Sequence, residues 1–371
     1  MVARPWLVYE LSDSIILLGV VQALRGLPVI VFSGMGGIMA DRLDRTKLYA
    51  GVRWANAASL FALTALLISG QAEVWHILVL TVLGGIAGAM EFPIRQSLLP
   101  SAVPSHLLMN AIALNSVGRQ LTHLLAPSLA GVLIASSGIT GAYVAQCVIS
   151  LVAAALPIFL RIAPTSRSAS QESVGANVVG AIRYVRANEI ILTLLVLALA
   201  QRFFTGSYQT MFPVFARDIH GAGEVGFGLL NSAIGAGAFV GALAIAVAGS
   251  VSRKGTLLLV GAALQALGLI LFAFSPWFGL ALALTAVVGV VQTAYFTMNN
   301  TLLLARVSEE YRGRVLSLYD MDRGLTPLGA MLLSWIAAAA GAPIAVALMA
   351  APMIPLMLVV LWRVPRLRDA E

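Results

Sequence analysis

The sequence has few charged residues for its length. Charged residues make up 11% of the 371 residues, whereas hydrophobic residues make up 60%. A soluble domain carries about 25% charged residues, and even a large one leaves roughly a quarter of its unfolded surface in contact with water. This composition therefore excludes a water-soluble fold and predicts that lipid surrounds most of the chain.

The rarity of reactive residues excludes several chemistries. The single cysteine, Cys147, lies in an apolar run, so no intrachain disulfide can form. The four histidines lack metal-ligand spacing to cysteine or acidic residues. There is no Walker phosphate loop and no G-x-S-x-G nucleophile motif. We expect neither an enzyme nor an ATP-driven pump, and no cofactor or metal.

Lysine is also rare, although the formal net charge is +7. Only Lys47 and Lys254 are lysines among the 23 basic residues. The arginines lie in short patches between apolar runs and form no basic face, so a nucleic-acid partner is not expected.

Eleven apolar runs are long enough to span a bilayer as helices, which takes about 20 mostly apolar residues. Outer-membrane strands need only about ten residues. We therefore predict an all-α polytopic membrane protein. The predicted spans cover residues 14–39, 47–70, 74–99, 107–136, 139–162, 190–213, 225–249, 255–275, 277–304, 313–340 and 342–363.

The first eleven residues are too short to cross a membrane. We interpret Pro5–Leu11 as the outer end of a first helix that begins upstream of Met1. An in-frame stop codon immediately upstream would instead indicate a truncated protein.

Positive charges concentrate in alternate loops. The junctions after residues 39, 99, 162, 249 and 304 and the C-terminal tail are rich in arginine, whereas the other junctions carry almost no basic residue except Arg217. Because cytoplasmic loops are enriched in Lys and Arg, we predict an inner-membrane protein with a cytoplasmic C-terminus. We call the two sides of the molecule the Arg-rich end and the Arg-poor end.

The two halves of the sequence resemble each other. Residues 91–119 align with residues 295–323, and a polar stretch separates the halves. We predict an N-terminal bundle (1–162), a cytoplasmic linker (163–189) and a C-terminal bundle (190–371), with a substrate site between the bundles. The apolar stripe of the linker indicates either a surface amphipathic helix or an extension of the following span.

One loop carries a motif that names a family. Residues 37–47 read GIMADRLDRTK, which resembles the G-x-x-x-D-R-x-G-R-R-K loop of the major facilitator superfamily. Asp44 and Thr46 depart from the motif. Five residues match it: Gly37, Asp41, Arg42, Arg45 and Lys47.

The resemblance covers nearly the whole chain and is strongest to the branch of bacterial exporters that includes the enterobactin exporter. It implies two pseudo-symmetric six-helix bundles, with this loop latching the cytoplasmic gate during alternating access. The basic residues of the loop could alternatively serve only to set topology.

The fifth helix partly matches a stretch found in exporters of this superfamily. Pro127 and Gly131 are retained from GP-x-x-GG, while two glycines are replaced by alanine. The pattern indicates a helix bend associated with export, or close helix packing with no bearing on direction.

Ionisable side chains at membrane depth usually face a cavity or a partner. Glu91 could exchange protons or simply pair with Arg95 at i+4. Asp320 and Asp322 could exchange protons or could instead form an inner gate. Polar residues such as Gln265 and Asn299 could bind substrate or neighbouring helices. The candidates for the cavity are Arg25, Arg119, His123, Arg202 and Gln292, and those for proton coupling are Glu91, Asp320 and Asp322.

These observations predict a monomeric, proton-coupled exporter of a small organic compound, either a drug or a siderophore. An uptake permease of the same fold and a truncated, non-transporting membrane protein are the alternatives. The expected partners are the substrate, protons and the lipid bilayer.

Overall fold

Long helices dominate the structure, which is a computed structural model. It describes residues 3–42, 44–104, 107–159, 174–248, 253–308, 311, 315, 319 and 325–368, and these contain no strand. The helices in chain order are α1 (Ala3–Ser12), α2 (Ile15–Arg42), α3 (Arg45–Ile68), α4 (Val74–Ala102), α5 (Leu108–Ala155), α6 (Val174–Ala187), α7 (Glu189–Phe204), α8 (Gly223–Ala248), α9 (Lys254–Ala273), α10 (Phe278–Arg306), α11 (Leu325–Ala340), α12 (Ala342–Ala350), α13 (Met353–Arg363) and α14 (Pro365–Arg368).

Eight segments within these described ranges are long and apolar enough to cross a membrane. Two shorter apolar helices, Ile15–Pro28 and Leu325–Ala340, accompany them. The all-α membrane fold is thus confirmed, while the count of eleven spans stays a prediction. The eight segments are Thr46–Ile68, Val74–Glu91, Leu129–Ala155, Glu189–Ile219, Gly223–Val247, Lys254–Ala273, Phe278–Arg306 and Ala342–Arg363.

Two predicted spans, 107–136 and 139–162, meet within α5. The helix is interrupted at Gly138, which has a φ of 69° and a ψ of 179°. Glycine tolerates a positive φ because it has no Cβ. The chain therefore turns at this residue, between the two segments that the sequence predicts.

The linker contributes a separate helix, α6. It ends at Ala187, and Asn188 caps the start of α7 by accepting a hydrogen bond from the Ile191 backbone N–H at 3.3 Å. Tyr184 of α6 stacks on Tyr311, with ring centroids 4.3 Å apart. The position of α6 on the membrane surface remains a prediction.

Small residues let the helices of the C-terminal half pack closely. A Cβ added to Gly237 of α8 would lie 1.9 Å from the carbonyl oxygen of Ala286 in α10. A Cβ added to Gly289 of α10 would lie 2.3 Å from the carbonyl oxygen of Ile234. Neither position can carry a larger residue without separating the helices, as is usual where membrane helices cross.

Candidate functional site

Two pairs of helices join the halves of the molecule: α2 with α11, and α5 with α8. A Cβ added to Gly131 would lie 2.2 Å from the carbonyl oxygen of Gly228, and one added to Gly19 would lie 2.8 Å from Cβ of Ser334. These backbones approach so closely because the contact residues are small. The space between the halves is therefore narrow along these stretches.

Packing along α5 changes from one end to the other. Among its described residues, no side chain before Gly131 is buried, and Leu114 is 74% exposed. Beyond Gly131, Ile134 is fully buried and Tyr143 is 2% exposed. The described side chains of α5 are therefore buried only from Gly131 onward, on the side of the helix nearer the Arg-poor end.

Charged side chains join the halves at the Arg-poor end. The guanidinium of Arg217 lies 2.6 Å from the carboxylate of Asp13 and 2.8 Å from that of Asp218. It also lies 4.2 Å from the ring centroid of Tyr9, and the Tyr9 hydroxyl donates a hydrogen bond to Asp218. We call Tyr9, Asp13, Arg217 and Asp218 the Arg217 cluster.

Glu224 forms a second contact between the halves. Its carboxylate accepts a hydrogen bond from the Ile139 backbone N–H at 3.3 Å. Glu224 lies in the first turn of α8, and Ile139 begins the second segment of α5. One carboxylate therefore faces the N-terminal ends of two helices from opposite halves, where the helix dipoles favour negative charge.

The family motif forms the turn between α2 and α3. Gly37, Asp41 and Arg42 lie at the end of α2, and α3 begins at Arg45. Their side chains lie outside the part that the structure describes. Lys47 is exposed.

Asp44, which departs from the motif, caps the next helix. Its carboxylate accepts hydrogen bonds from the backbone N–H groups of Thr46 at 2.9 Å and Lys47 at 3.2 Å. Glycine at this position could not make these side-chain bonds. The substitution therefore fixes the start of α3 at the Arg-rich end.

Arg25 lies beside the junction of the halves. The next residue, Gly26, would bring an added Cβ to 2.1 Å from Cγ of Pro327 in α11. The Arg25 side chain itself is exposed. Arg25 therefore lies next to the point where α2 meets the opposite half, and its role as a cavity residue stays a prediction.

Arg119, His123 and Pro127 lie on α5, with side chains outside the described part. The helix continues through Pro127 and Gly131, and its non-helical residue is Gly138. Gly131 packs against Gly228 of α8, which favours the interpretation of close helix packing.

Glu91 is paired across two helices of the N-terminal half. Nη1 of Arg53 in α3 lies 2.8 Å from Oε1 of Glu91 in α4, and both side chains are about one-fifth exposed, at 22% and 21%. The sequence pattern had suggested Arg95 as the local partner. This ion pair joins two neighbouring helices, and the proton-coupling role of Glu91 stays a prediction.

Polar residues of the C-terminal half mostly hold helices together. Gln201 donates a buried hydrogen bond to Gln265 at 2.5 Å, and Asn299 donates one to the carbonyl oxygen of Leu194 at 3.2 Å. The Arg202 guanidinium lies 4.1 Å from the ring centroid of Phe296. Gln292 is half-buried in α10.

Asp320 and Asp322 lie outside the described residues. The structure therefore leaves both interpretations of these acids, coupling site and gate, as predictions. Tyr319 and Leu325 are the nearest described residues on either side.

Comparisons with known proteins agree with this architecture. A family model described as "Transmembrane secretion effector" matches residues 1–371. The chain belongs to this family. It is therefore a multi-pass membrane transporter of the major facilitator type.

Relatives of the transporter include two named bacterial membrane proteins. The multidrug efflux pump Tap of Mycolicibacterium fortuitum is 28% identical over 384 residues, which cover 100% of this chain and 92% of Tap. The staphyloferrin A transporter of Staphylococcus aureus is 24% identical over 338 residues, covering 89% of this chain and 83% of that protein. These relatives are transporters rather than enzymes.

The fold is also that of a solved transporter structure. The crystal structure of the nucleoside transporter NupG has a TM-score of 0.69 and 14% sequence identity, covering 96% of this chain and 92% of that one. At this identity the likeness supports the fold alone.

The sequence patterns missed the contacts that close the Arg-poor end. The available signal in the sequence is Arg217, because it is a basic residue in loops that otherwise carry almost none. Its partner Asp13 is 204 residues away in the chain, and Glu224 lies 85 residues from Ile139. Only the folded structure brings these residues together.

Proposed function

We propose that the transporter exports a small organic compound, a drug or a siderophore, in exchange for protons. Two bundles would rock about a central site and expose it to each side in turn. The proposal is supported by relatives named as an efflux pump and a siderophore transporter. The geometry that supports it is the set of contacts that join the halves at the Arg-poor end: Gly131 with Gly228, Arg217 with Asp13, and Glu224 with Ile139.

The proposed orientation places the Arg-rich end and the C-terminus in the cytoplasm. The concentration of arginine in these loops supports this. In this proposal the Arg-rich end opens toward the cytoplasm when the exporter collects its cargo. We propose that the working unit is a monomer in the plasma membrane.

Closing the Arg-rich end would bring the motif loop against the C-terminal half. Asp41 could then face the positive end of a helix from that half, while Arg42 and Arg45 pair with acids. Asp44 would act indirectly by fixing the first turn of α3, on which Arg45 stands.

The cargo site is proposed to lie between the halves, with Arg25 on its wall. Arg119 and His123 on α5, and Arg202 and Gln292 in the C-terminal half, are the other candidates. Several cationic side chains in such a site would favour an anionic or polar compound, because a positive lining attracts negative charge. A catecholate siderophore has this character.

Proton coupling is proposed to depend on acidic residues of the spans. The ion pair between Glu91 and Arg53 supports a packing role for Glu91. Asp320 and Asp322 are therefore the preferred coupling candidates.

Direction-resolved flux in proteoliposomes tests this function. An imposed proton gradient should drive a labelled drug or siderophore across the membrane, against the direction of proton movement. Co-movement of cargo and protons would indicate an uptake permease, and absence of any flux across a broad cargo panel would indicate a non-transporting protein.

The coupling residues are tested in the same system. Asp320→Asn and Asp322→Asn should remove proton dependence, whereas Glu91→Gln should reduce stability and retain coupling. Proton dependence that survives all three substitutions would rule out these acids.

A further inference from the structure

The connection between the span Glu189–Ile219 and α8 has a well-defined local structure. Residues Phe215–Ile219 form a π-helical turn, and the His220 N–H donates to the Phe215 carbonyl oxygen at 3.0 Å. Gly221 and Gly223 follow with φ of 61° and 59°, values that glycine adopts readily. We call residues 215–224 the Phe215–Glu224 turn.

This turn contacts the N-terminal half in two separate places. Arg217 and Asp218 reach Asp13 and Tyr9 through the Arg217 cluster. A few residues later, Glu224 reaches the Ile139 N–H on α5. A single short segment therefore supplies the C-terminal half's side of both polar contacts.

The Phe215–Glu224 turn also packs against other residues of the C-terminal half. The His220 ring nitrogen Nε2 lies 3.4 Å from Oγ of Ser275, and its ring lies 5.7 Å from that of Phe278. These partners belong to the connection between α9 and α10 and to α10 itself. The turn would therefore move with the C-terminal half if the halves separate.

We infer that the Phe215–Glu224 turn is the latch that holds the Arg-poor end of the transport path closed. Its three charged side chains, Arg217, Asp218 and Glu224, bind α1, the α1–α2 connection and the second segment of α5. This inference rests on the proposed alternating access, because a latch has a role only if that end opens.

The exposure of the cluster suits a contact that must break repeatedly. The Asp13 side chain is 76% exposed and that of Arg217 is 33% exposed. Exposed ion pairs contribute little individually, because water can replace each partner. Several weak contacts that form together can hold the closed state and still release within one transport cycle.

The Arg-poor end offers no ready replacement for Arg217. It is the exceptional basic residue of these loops in the sequence. Without it, Asp13 and Asp218 would be like charges at the same junction, which disfavours closure. Loss of this side chain should therefore increase the fraction of time for which this end is open.

Thiol labelling behind the latch provides the main test. Cys147 is first replaced by serine, and Ala135→Cys then places a reporter on α5 close to Gly228 of α8. Vesicles expose the Arg-poor end to a small, membrane-impermeant maleimide. The labelling rate reports how often that end opens.

The decisive variant combines Arg217→Gln with Glu224→Gln. We expect it to raise the labelling rate about tenfold, and either change alone about two- to fivefold, within the usual range of coupling between sites. Arg217→Lys keeps the charge but loses the forked geometry, so an intermediate rate is expected.

Glu73→Gln is the matched control. Glu73 lies at the same end, and its carboxylate accepts a hydrogen bond from Trp75 of its own half at 2.7 Å. Its removal should leave the labelling rate unchanged. An unchanged rate in the combined variant, or an equal rise in the control, would overturn the inference.

A locking experiment provides an independent result. Asp13→Cys with Asp218→Cys, joined by a cleavable bifunctional reagent, should stop transport until the link is cleaved. Undiminished transport after linking would refute the latch. If the transporter without these substitutions transports nothing, the proposed function fails, while the labelling rates still decide whether the turn holds this end closed.

Discussion

The two ends of the transporter differ in what holds the halves together. At the Arg-poor end, small residues bring α5 against α8, and Arg217 and Glu224 connect the halves by polar contacts. Toward the Arg-rich end, the described side chains of α5 are unburied. The described contacts between the halves at the Arg-poor end are close packing and a few paired charges. Their strength does not depend on a large number of charges at that end.

The largest expected effect comes from disturbing the close packing. Gly131→Ala would place a Cβ 2.2 Å from the Gly228 carbonyl oxygen, and overpacking of this kind costs about 1–3 kcal/mol. We expect transport to fall about tenfold and the thermal unfolding temperature to drop. Gly118→Ala on the same helix meets no atom within 4 Å.

Gly118→Ala therefore serves as the control for that change and should behave as the unmodified transporter. Equal losses in both variants would mean that general effects on α5, not the contact with α8, explain the result.

A second comparison sets contacts between halves against a contact within one half. The Arg53–Glu91 pair joins α3 to α4 at 2.8 Å. Removing one partner of such a partly buried pair should lower the unfolding free energy by about 1–2 kcal/mol, because the other charge is left unpaired. A double-mutant cycle with Arg53→Gln and Glu91→Gln in detergent measures the coupling.

That pair should not alter labelling at the Arg-poor end, since both residues belong to the N-terminal half. A coupling energy near zero would show that hydration of the separate side chains is as favourable as the Arg53–Glu91 ion pair. This result would contradict the packing role of Glu91.

The Arg-rich end can be probed through its helix cap. Asp44→Ala removes the acceptor for the Thr46 and Lys47 N–H groups, which should cost about 1 kcal/mol. Asp44→Asn keeps an acceptor and should recover most of the loss. Thermal unfolding of the two variants, followed side by side, distinguishes the cap from a simple loss of charge.

The smallest effect is expected from pH at the Arg-poor end. Burial lowers the pKa of His220 in the folded state, so the folded protein binds a proton there less readily than the unfolded chain does. Stability should therefore decrease as pH falls below the ordinary histidine value of about 6.5. His220→Phe should show a flatter pH dependence of thermal unfolding, and an unchanged slope would exclude this residue.

Local patterns predicted more of the helices than of the contacts. The apolar runs fixed the existence of the spans, because about 20 apolar residues in lipid must satisfy their backbone groups as a helix. Asp44 carries a local signal, because an aspartate just before a helical run is a typical N-cap. Arg217 also carries a signal, as the basic residue of an otherwise Arg-poor set of loops, but its role depends on a partner that the sequence does not reveal.

The linker and α5 illustrate the same division. The stripe of the linker left two interpretations, and the Asn188 cap makes α6 a helix separate from α7. Pro127 and Gly131 of α5 are compatible with either a helix bend or close helix packing. The position of Gly228 beside Gly131 in the structure favours close packing.

The sequence by itself determined that lipid surrounds the chain, that the fold is helical, which family motif is present and that positive charge concentrates in alternate loops. These properties depend on composition and on neighbours along the chain, which a sequence displays directly. The tertiary structure alone decided which polar groups of distant segments meet. Asp13 with Arg217, Glu224 with Ile139, and Arg53 with Glu91 are joined across long separations. Such pairs depend on how helices pack, and many packings are compatible with the same apolar pattern.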